Sequence, residues 1–220
     1  VTINEGYGLT ETAPVTNMCL PWEFKSKSVG RAMPDIVERI VDINTGKDLP
    51  ANQEGEIRIS GPNVMKGYYN LPVETAAAFD ERGFLRTGDI GRLDEDGHLF
   101  ITGRLKEMLI IGGENVFPRE IEEVLNKHPD VKDSGVIGVP DPMRGEEPVA
   151  FIEIKLPVDN SGGVENPDRA EELRKAFDPK PLLTWCRQHL AGNKVPREIR
   201  VVESLPRSPT GKVLRRELKK

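Results

Sequence analysis

The sequence predicts an α+β fold in two parts: a β-rich first half and a smaller mixed domain after it. Three observations carry this. Between Ser28 and Gly103 the apolar residues fall in short, turn-bounded runs with strand spacing. After Gly103, strand-like runs alternate with stretches whose apolar residues recur three and four apart. Of the 220 residues, 37% are hydrophobic and 30% charged, a composition that builds a core in water.

In order along the chain, Val1–Ile3 reads as a strand that needs a partner from further upstream. Ile36–Ile43 is rich in β-branched residues and ends at the turn Asn44-Thr45-Gly46-Lys47. Gly55–Ser60 alternates, with Ile57 and Ile59 on one face and Glu56 and Arg58 on the other. Thr75–Phe79 fits one helical turn. Gly91–Leu93 and His98–Thr102 flank Asp94-Glu95-Asp96-Gly97, a hairpin signal. Met108–Ile111 is a short apolar strand. Pro118 suits the first position of a helix, which continues through Ile121, Val124, Leu125 and His128 and stops at Pro129. Val136–Val139, Val149–Leu156 and Ile199–Val202 read as strands, and Pro181–Leu190 and Lys212–Leu218 as helices. The polar stretch Pro157–Pro181, with a helix expected over Asp168–Phe177, reads as a surface insertion.

Composition removes several functions. No apolar run approaches the length of a membrane span. The first residues, Val1 to Glu5, carry no signal-like segment, so a cytoplasmic location is the expectation. Cys19 and Cys186 make no disulfide framework, and His98, His128 and His189 show no metal-ligand spacing with them. A net charge of −5 argues against nucleic acid as a partner. The exception is the tail from Arg207 to Lys220, whose six cations face Glu217 alone. A basic tail of this kind is usually a solvated helix face, with contact to an anionic small molecule as the alternative.

Four clusters carry candidate chemistry. In Tyr7-Gly8-Leu9-Thr10-Glu11-Thr12, Gly6 and Gly8 let the backbone approach a ligand, Thr10 can donate to a phosphate oxygen and Glu11 can ligate Mg²⁺. On its own, an ordinary strand-to-turn junction explains the same residues better. In Arg86-Thr87-Gly88-Asp89 the aspartate suits either a turn or the hydroxyls of a ribose. Gly103-Arg104-Leu105-Lys106-Glu107 and Gly112-Gly113-Glu114-Asn115 read as a domain junction with a glycine turn. Pro206–Lys212 ends in Gly211-Lys212. It is not a phosphate loop of the Walker type, because Pro206 and Val213 stand where that loop needs Gly and Ser or Thr.

Order and wording together are more specific than any one cluster. Tyr7–Thr12, Gly61–Tyr69, Arg86–Gly91, Gly103–Glu122 and Leu205–Arg216 resemble the later signature motifs of the adenylate-forming superfamily, which holds acyl-CoA synthetases, firefly luciferase and the adenylation domains of peptide synthetases. The resemblance covers nearly the whole chain apart from Pro157–Pro181. The Ser/Thr/Gly-rich phosphate loop that precedes these motifs in the family is missing, so residues 1–220 alone are expected to be inert.

The resemblance implies a remnant of the large N-terminal domain over 1–104, including a distorted β-barrel subdomain. It implies a small mobile α+β domain over 105–220, with a short central sheet flanked by helices and an insertion near 157–181. The implied chemistry is activation of a carboxylic, on motif wording fatty, acid by ATP to acyl-AMP, followed by transfer to CoA. By match, Tyr7 stacks on adenine with Gly8 also at the nucleotide, Thr10 touches the α-phosphate, Glu11 holds Mg²⁺, and Asp89 with Arg104 binds the ribose. Lys106 is the hinge, Gly112 and Gly113 line the pantetheine path, and Lys212 bridges acid and phosphate. Asn193 departs from the aromatic common at its position. Two alternatives stand beside this: an acyl carrier protein as the thiol partner in place of CoA, and a non-catalytic interaction module.

Overall fold

In a computed structural model of the chain, residues 4–157 and 167–218 are described. They fall into two compact units, Val1–Lys106 and Glu107–Lys220. The strand expected at Val1–Ile3 and the middle of the Pro157–Pro181 stretch lie outside the described residues. Elements are α+β throughout.

The first unit holds two antiparallel sheets. The smaller pairs β1 (Gly6–Tyr7), β2 (Asn17–Met18) and β3 (Arg31–Ala32). The larger is a meander of β4 (Val37–Val41), β5 (Gly55–Ser60), β6 (Leu85–Leu93) and β7 (Leu99–Arg104). It stays open among the described residues, so the barrel expected from the resemblance is not closed. Ile40, Ile57, Ile59 and Leu99 form its core with Val29. The hairpin between β6 and β7 turns where the sequence predicts: Asp94 accepts the amides of Asp96 and His98 at 3.0 and 2.9 Å. Burial pushes the Asp94 carboxyl up, but Lys25 at 2.5 Å and those amides outweigh it and hold the carboxyl down at about 2.

The alternation of β5 holds, and its charged face is covered. Glu56 and Arg58 share a face, as the alternation says, yet both are buried, at 6% and 7% exposure. Arg58 reaches Glu56 at 2.9 Å and Asp80 at 3.0 Å. Asp80 is brought there by the segment after α1 (Pro72–Ala78), which pairs back on the sheet through Phe79 and Leu85. The face is covered by charge rather than by water.

The second unit is built on β8 (Leu109–Ile111), β9 (Glu114–Val116), β10 (Val131–Asp141), β11 (Gly145–Ile154) and β12 (Glu198–Val201), in the order β10-β11-β8-β9 with β12 beside β11. Among the described residues only β11–β12 is parallel, and its crossover carries α3 (Pro167–Ala176) and α4 (Lys180–His189). Helix α2 (Pro118–Leu125) begins at its proline, whose missing N–H costs nothing in the first turn. It ends at Leu125, one turn before the expected stop at Pro129.

Ile121 and Leu125 of α2 meet Leu182 and Cys186 of α4 over Val136, Ala150 and Ile152. The Trp185 indole donates to Val124 O at 3.0 Å and ties the two helices together. In α3, Ala170 is buried at 3% exposure, and Phe177 packs on the same core. The opposite sheet face, Ile137, Val149 and Phe151, is covered by Leu205, Val213 and Leu218 of the C-terminal segment.

That segment corrects another expectation. The helix predicted over Lys212–Leu218 is a single short turn, Arg215–Glu217. Val213 pairs as a bridge with Arg207, and Leu214 N donates to Pro206 O at 2.7 Å. Those pairings hold the residues before Arg215 in an extended path.

Candidate functional site

In the first unit the turn after β1 is shaped by Thr12 and Gly8. The Thr12 hydroxyl accepts from Leu9 N at 2.9 Å and donates to Leu9 O at 3.0 Å, closing the turn Thr10–Thr12. The chain then folds back so closely that a Cβ on Gly8 would lie 1.6 Å from Pro14 O. Gly8 is therefore required by the backbone itself. The segment 61–69 clamps this turn from outside. Asn63 donates to Thr12 O at 2.7 Å, Met65 N to Glu11 O at 2.8 Å, and the Tyr68 hydroxyl to Glu11 Oε1 at 3.0 Å. Thr10 is exposed and Glu11 half-buried.

Tyr7, Asp89 and Arg104 meet in one chain of hydrogen bonds. The Tyr7 hydroxyl donates to Asp89 Oδ2 at 2.7 Å, and Arg104 Nε lies 2.9 Å from Asp89 Oδ1. Asp89 and Arg104 are register partners across β6 and β7, which explains their meeting. Asp89 sits inside β6, not in a turn, and is 3% exposed. Its amide donates to the Thr87 hydroxyl at 3.0 Å, which itself donates to Ile57 O at 2.6 Å. Burial pushes the Tyr7 phenol far above its usual range, and the Asp89 carboxylate adds to the rise. Behind Tyr7, burial also pushes the Glu38 carboxyl up to about 7, against the pull of the Asn17 amide at 3.2 Å.

The second unit carries the other sequence-predicted residues. Gly112 and Gly113 form the two-residue turn between β8 and β9, at φ of 61° and 84°. Positive φ at both positions is the demand of a tight hairpin, which glycine meets at least cost. A Cβ on either would meet nothing within 4 Å, so the space beside the turn is open. Gly112 N donates to Arg144 O at 2.8 Å. Asn193 donates to Glu114 Oε2 at 2.6 Å, a polar contact in the place of the family's aromatic.

Lys212 stands on a small exposed loop closed by Ser208: Gly211 N donates to Ser208 O at 2.9 Å and Ser208 N to Lys212 O at 2.8 Å. Among the described residues no acid pairs with the Lys212 ammonium. The loop is stapled on both sides. Before it, Arg207 binds Asp133 at 2.6 Å and Glu153 at 3.1 Å. After it, Arg215 grips the buried Glu122 carboxylate at 2.7 and 2.5 Å and also Glu107. The hydrogen bonds to Glu122 raise the Arg215 guanidinium further above its usual range. Lys106 lies in the turn Leu105–Glu107, where the two units divide.

Tyr68, Asn63, Arg207, Arg215 and Glu122 were given no role by sequence reasoning. Their signal was present: all lie inside the quoted segments Gly61–Tyr69, Gly103–Glu122 and Leu205–Arg216.

Known proteins resemble this chain in sequence and in fold. Residues 1–69 match the family described as AMP-binding enzyme, and residues 120–212 match the AMP-binding enzyme C-terminal domain. The chain belongs to the adenylate-forming superfamily. Among curated members it is 39% identical to 4-coumarate–CoA ligase 2 of Nicotiana tabacum and to 4-coumarate:CoA ligase 1 of Petunia hybrida, over 99% of this chain and 38% of each relative. Among solved members, ATP-bound MatB from Rhodopseudomonas palustris matches with a TM-score of 0.84 at 35% identity, over 99% of this chain and 40% of that one. The o-succinylbenzoate CoA synthetase MenE of Bacillus subtilis, in complex with its acyl-adenylate intermediate, matches at 0.82 and 32% identity, over 99% and 41%. This superfamily member thus spans about two fifths of the length of the relatives it matches. No helix among its described residues is long and apolar enough to cross a membrane.

Proposed function

We propose that this chain serves an AMP-forming acid–thiol ligase of its relatives' full length, which joins a carboxylic acid to CoA by way of an acyl-AMP. The observation that carries the reading is the Tyr7–Asp89–Arg104 chain, together with the Glu11–Tyr68 pair beside the same turn. Asp89 is a buried carboxylate within β6, with donors already aimed at both oxygens. Such a group can accept the two hydroxyls of a ribose by exchanging one donor for another. Arg104 is the donor to give way, since its side chain is 61% exposed. The Tyr7 ring, held by its hydroxyl, then offers a fixed face to adenine.

The residues fit Mg²⁺ and ATP. Tyr68 occupies one oxygen of Glu11, and the other is left as a hard ligand for the metal, with Thr10 exposed beside it as a donor to phosphate. Bound Mg²⁺ would supply neutralisation of the phosphate charge. Lys212, with no acid to quench it, would place a cation where negative charge develops between carboxylate and α-phosphate. In the thiol half-reaction the open space beside Gly112 and Gly113 suits a thin pantetheine arm. Lys106 would act as the pivot that exchanges the two faces of the domain over 105–220, between which the Lys212 loop and the glycine turn are divided.

Two finer points belong to the same proposal. The motif wording favours a fatty acid, whereas the names of the relatives include a coumarate and a succinylbenzoate ligase. CoA is taken as the acceptor over an acyl carrier protein because those relatives are CoA ligases by name. A pyrophosphate-release screen of the full-length protein across aliphatic and arylpropenoic acids, with CoA and a carrier protein as rival acceptors, tests both. Acid-dependent release that needs CoA is the expected result. Release by residues 1–220 alone, or none from any acid with the full-length protein, overturns the reading.

A further inference from the structure

We propose that the first unit carries a separate anion site, a cleft of about 630 Å³ on the charged face of the β4–β5–β6 sheet, that takes a small polyphosphate such as pyrophosphate. Arg39 of β4 pairs across to Arg58 of β5, and Arg58 to Arg86 of β6, so three guanidinium-bearing residues stand in a row over three strands. Like charges directly opposite one another destabilise a sheet unless something compensates them. The acids present compensate only in part. Five cations line the cleft against four acids, Asp48, Asp80 and Glu81 in the lining and Glu56 on Arg58, a surplus of one positive charge.

The shortfall can be located on atoms. Arg39 is nearly buried, with 11% of its side chain exposed, and binds Asp48 through Nε and Nη2. Its Nη1 is buried and makes no hydrogen bond, and the nearest carboxylate oxygen, on Asp80, lies 3.5 Å away. A buried donor left without an acceptor is costly, and a network built only for stability would have filled it. Lys47 and Arg86 are exposed at the rim and make no ion pair among the described residues.

The guanidinium planes are also held in advance. The Phe84 ring lies under Arg39 at 4.7 Å and under Arg82 at 5.7 Å, and Arg58 is fixed between Glu56 and Asp80 at 2.9 and 3.0 Å. Pre-oriented, planar donors around an unmet positive charge suit phosphate oxygens, which accept paired N–H bonds. The cleft volume of about 630 Å³ exceeds what a single phosphate fills, hence the choice of a polyphosphate. Neither Glu11 nor Asp89 lines it, so it is distinct from the candidate nucleotide site.

The test is an amide-shift titration of the 220-residue chain with sodium pyrophosphate at fixed ionic strength. Saturable shifts at residues 44–48 and 80–86 are expected. Lys47→Glu and Arg86→Glu, both at exposed positions, should each weaken binding by about tenfold or more with unchanged melting temperature, since each removes a charge-assisted contact. Thr10→Ala should leave these shifts alone. Three results would overturn the site: no movement at 44–48 and 80–86 up to saturation of any other site, shifts confined to Tyr7–Thr12 and lost in Thr10→Ala, or an affinity that survives both charge reversals. Should a reversal unfold the chain, the shift map of the unaltered protein decides alone.

Discussion

Replacing Arg215 by alanine removes the staple that fixes the far side of the Lys212 loop. The side chain makes two hydrogen bonds to Glu122, at 2.7 and 2.5 Å, and reaches Glu107 as well. Its partner is the more buried of the two, with 11% of the Glu122 side chain exposed against 21% for Arg215. After the change Glu122 keeps only the Val136 amide at 2.8 Å, and a carboxylate is left largely out of water without its cation. Breaking such a pair from one side costs about 3–5 kcal/mol, and the partial exposure of Arg215 places it near 3. That is a large share of a domain stability of about 5–15 kcal/mol.

With a urea slope of about 1–3 kcal/mol per molar, the unfolding midpoint should fall by about 1–3 M. Trp185, packed between α2 and α4, reports the transition by fluorescence. The double change Glu122→Gln with Arg215→Met removes both charges and should recover about half of the loss or more, because the buried charge is what costs. A midpoint within about 0.3 M of the unaltered chain, or a double variant no better than the single one, would refute the reasoning.

Two further outcomes follow from the first unit, and one from the second. Gly8→Ala should prevent the turn after β1 from closing, since its Cβ would sit 1.6 Å from a backbone oxygen, and the loss should show as vanished amide dispersion for Tyr7–Asn17 while β8–β12 stay folded. Glu38 binds its proton more tightly when folded, with its carboxyl pushed up to about 7 by burial, so its contribution is full at low pH and is lost as pH rises through about 7. Stability should therefore decline between about pH 5 and 7 by at most about 3 kcal/mol, and Glu38→Gln should flatten that slope; equal slopes with and without Glu38 would sink the assignment. In the second unit, Gly113→Asn should be tolerated and Gly113→Val should not, because the turn requires φ of 84° and asparagine visits that region far more readily than a β-branched residue; equal melting temperatures would contradict a turn-based role.

What the sequence made legible was local chemistry. Pro118 followed by apolar residues three and four apart marks a helix start, and Asp94–Gly97 between strand-like runs marks a hairpin, because neighbours in sequence settle both. Alternation in Gly55–Ser60 showed which residues share a face, but not that Asp80 and α1 would cover the charged one. The spacing of Val213, Leu214 and Leu218 imitates a helix, yet pairing of residues 206–208 with 212–214 prevails over it. The site was legible as motifs and not as contacts: Tyr7 to Asp89 and Glu11 to Tyr68 join positions 82 and 57 residues apart. No local rule brings such residues together. The buried Arg39 nitrogen likewise has its nearest carboxylate on Asp80, in the segment after α1.

The central claim is that Lys212 serves acyl-AMP formation alone. The direct test is Lys212→Ala in a protein of the relatives' full length, with the two half-reactions measured separately. Acid-dependent pyrophosphate release should fall by about a hundred- to a thousandfold, as on losing one pre-placed contact to developing charge. Thioester formation from supplied acyl-AMP and CoA should stay within a few fold, and the melting temperature should not move, since the ammonium pairs with no acid among the described residues. A parallel loss in both half-reactions, or no loss in either, would contradict the account.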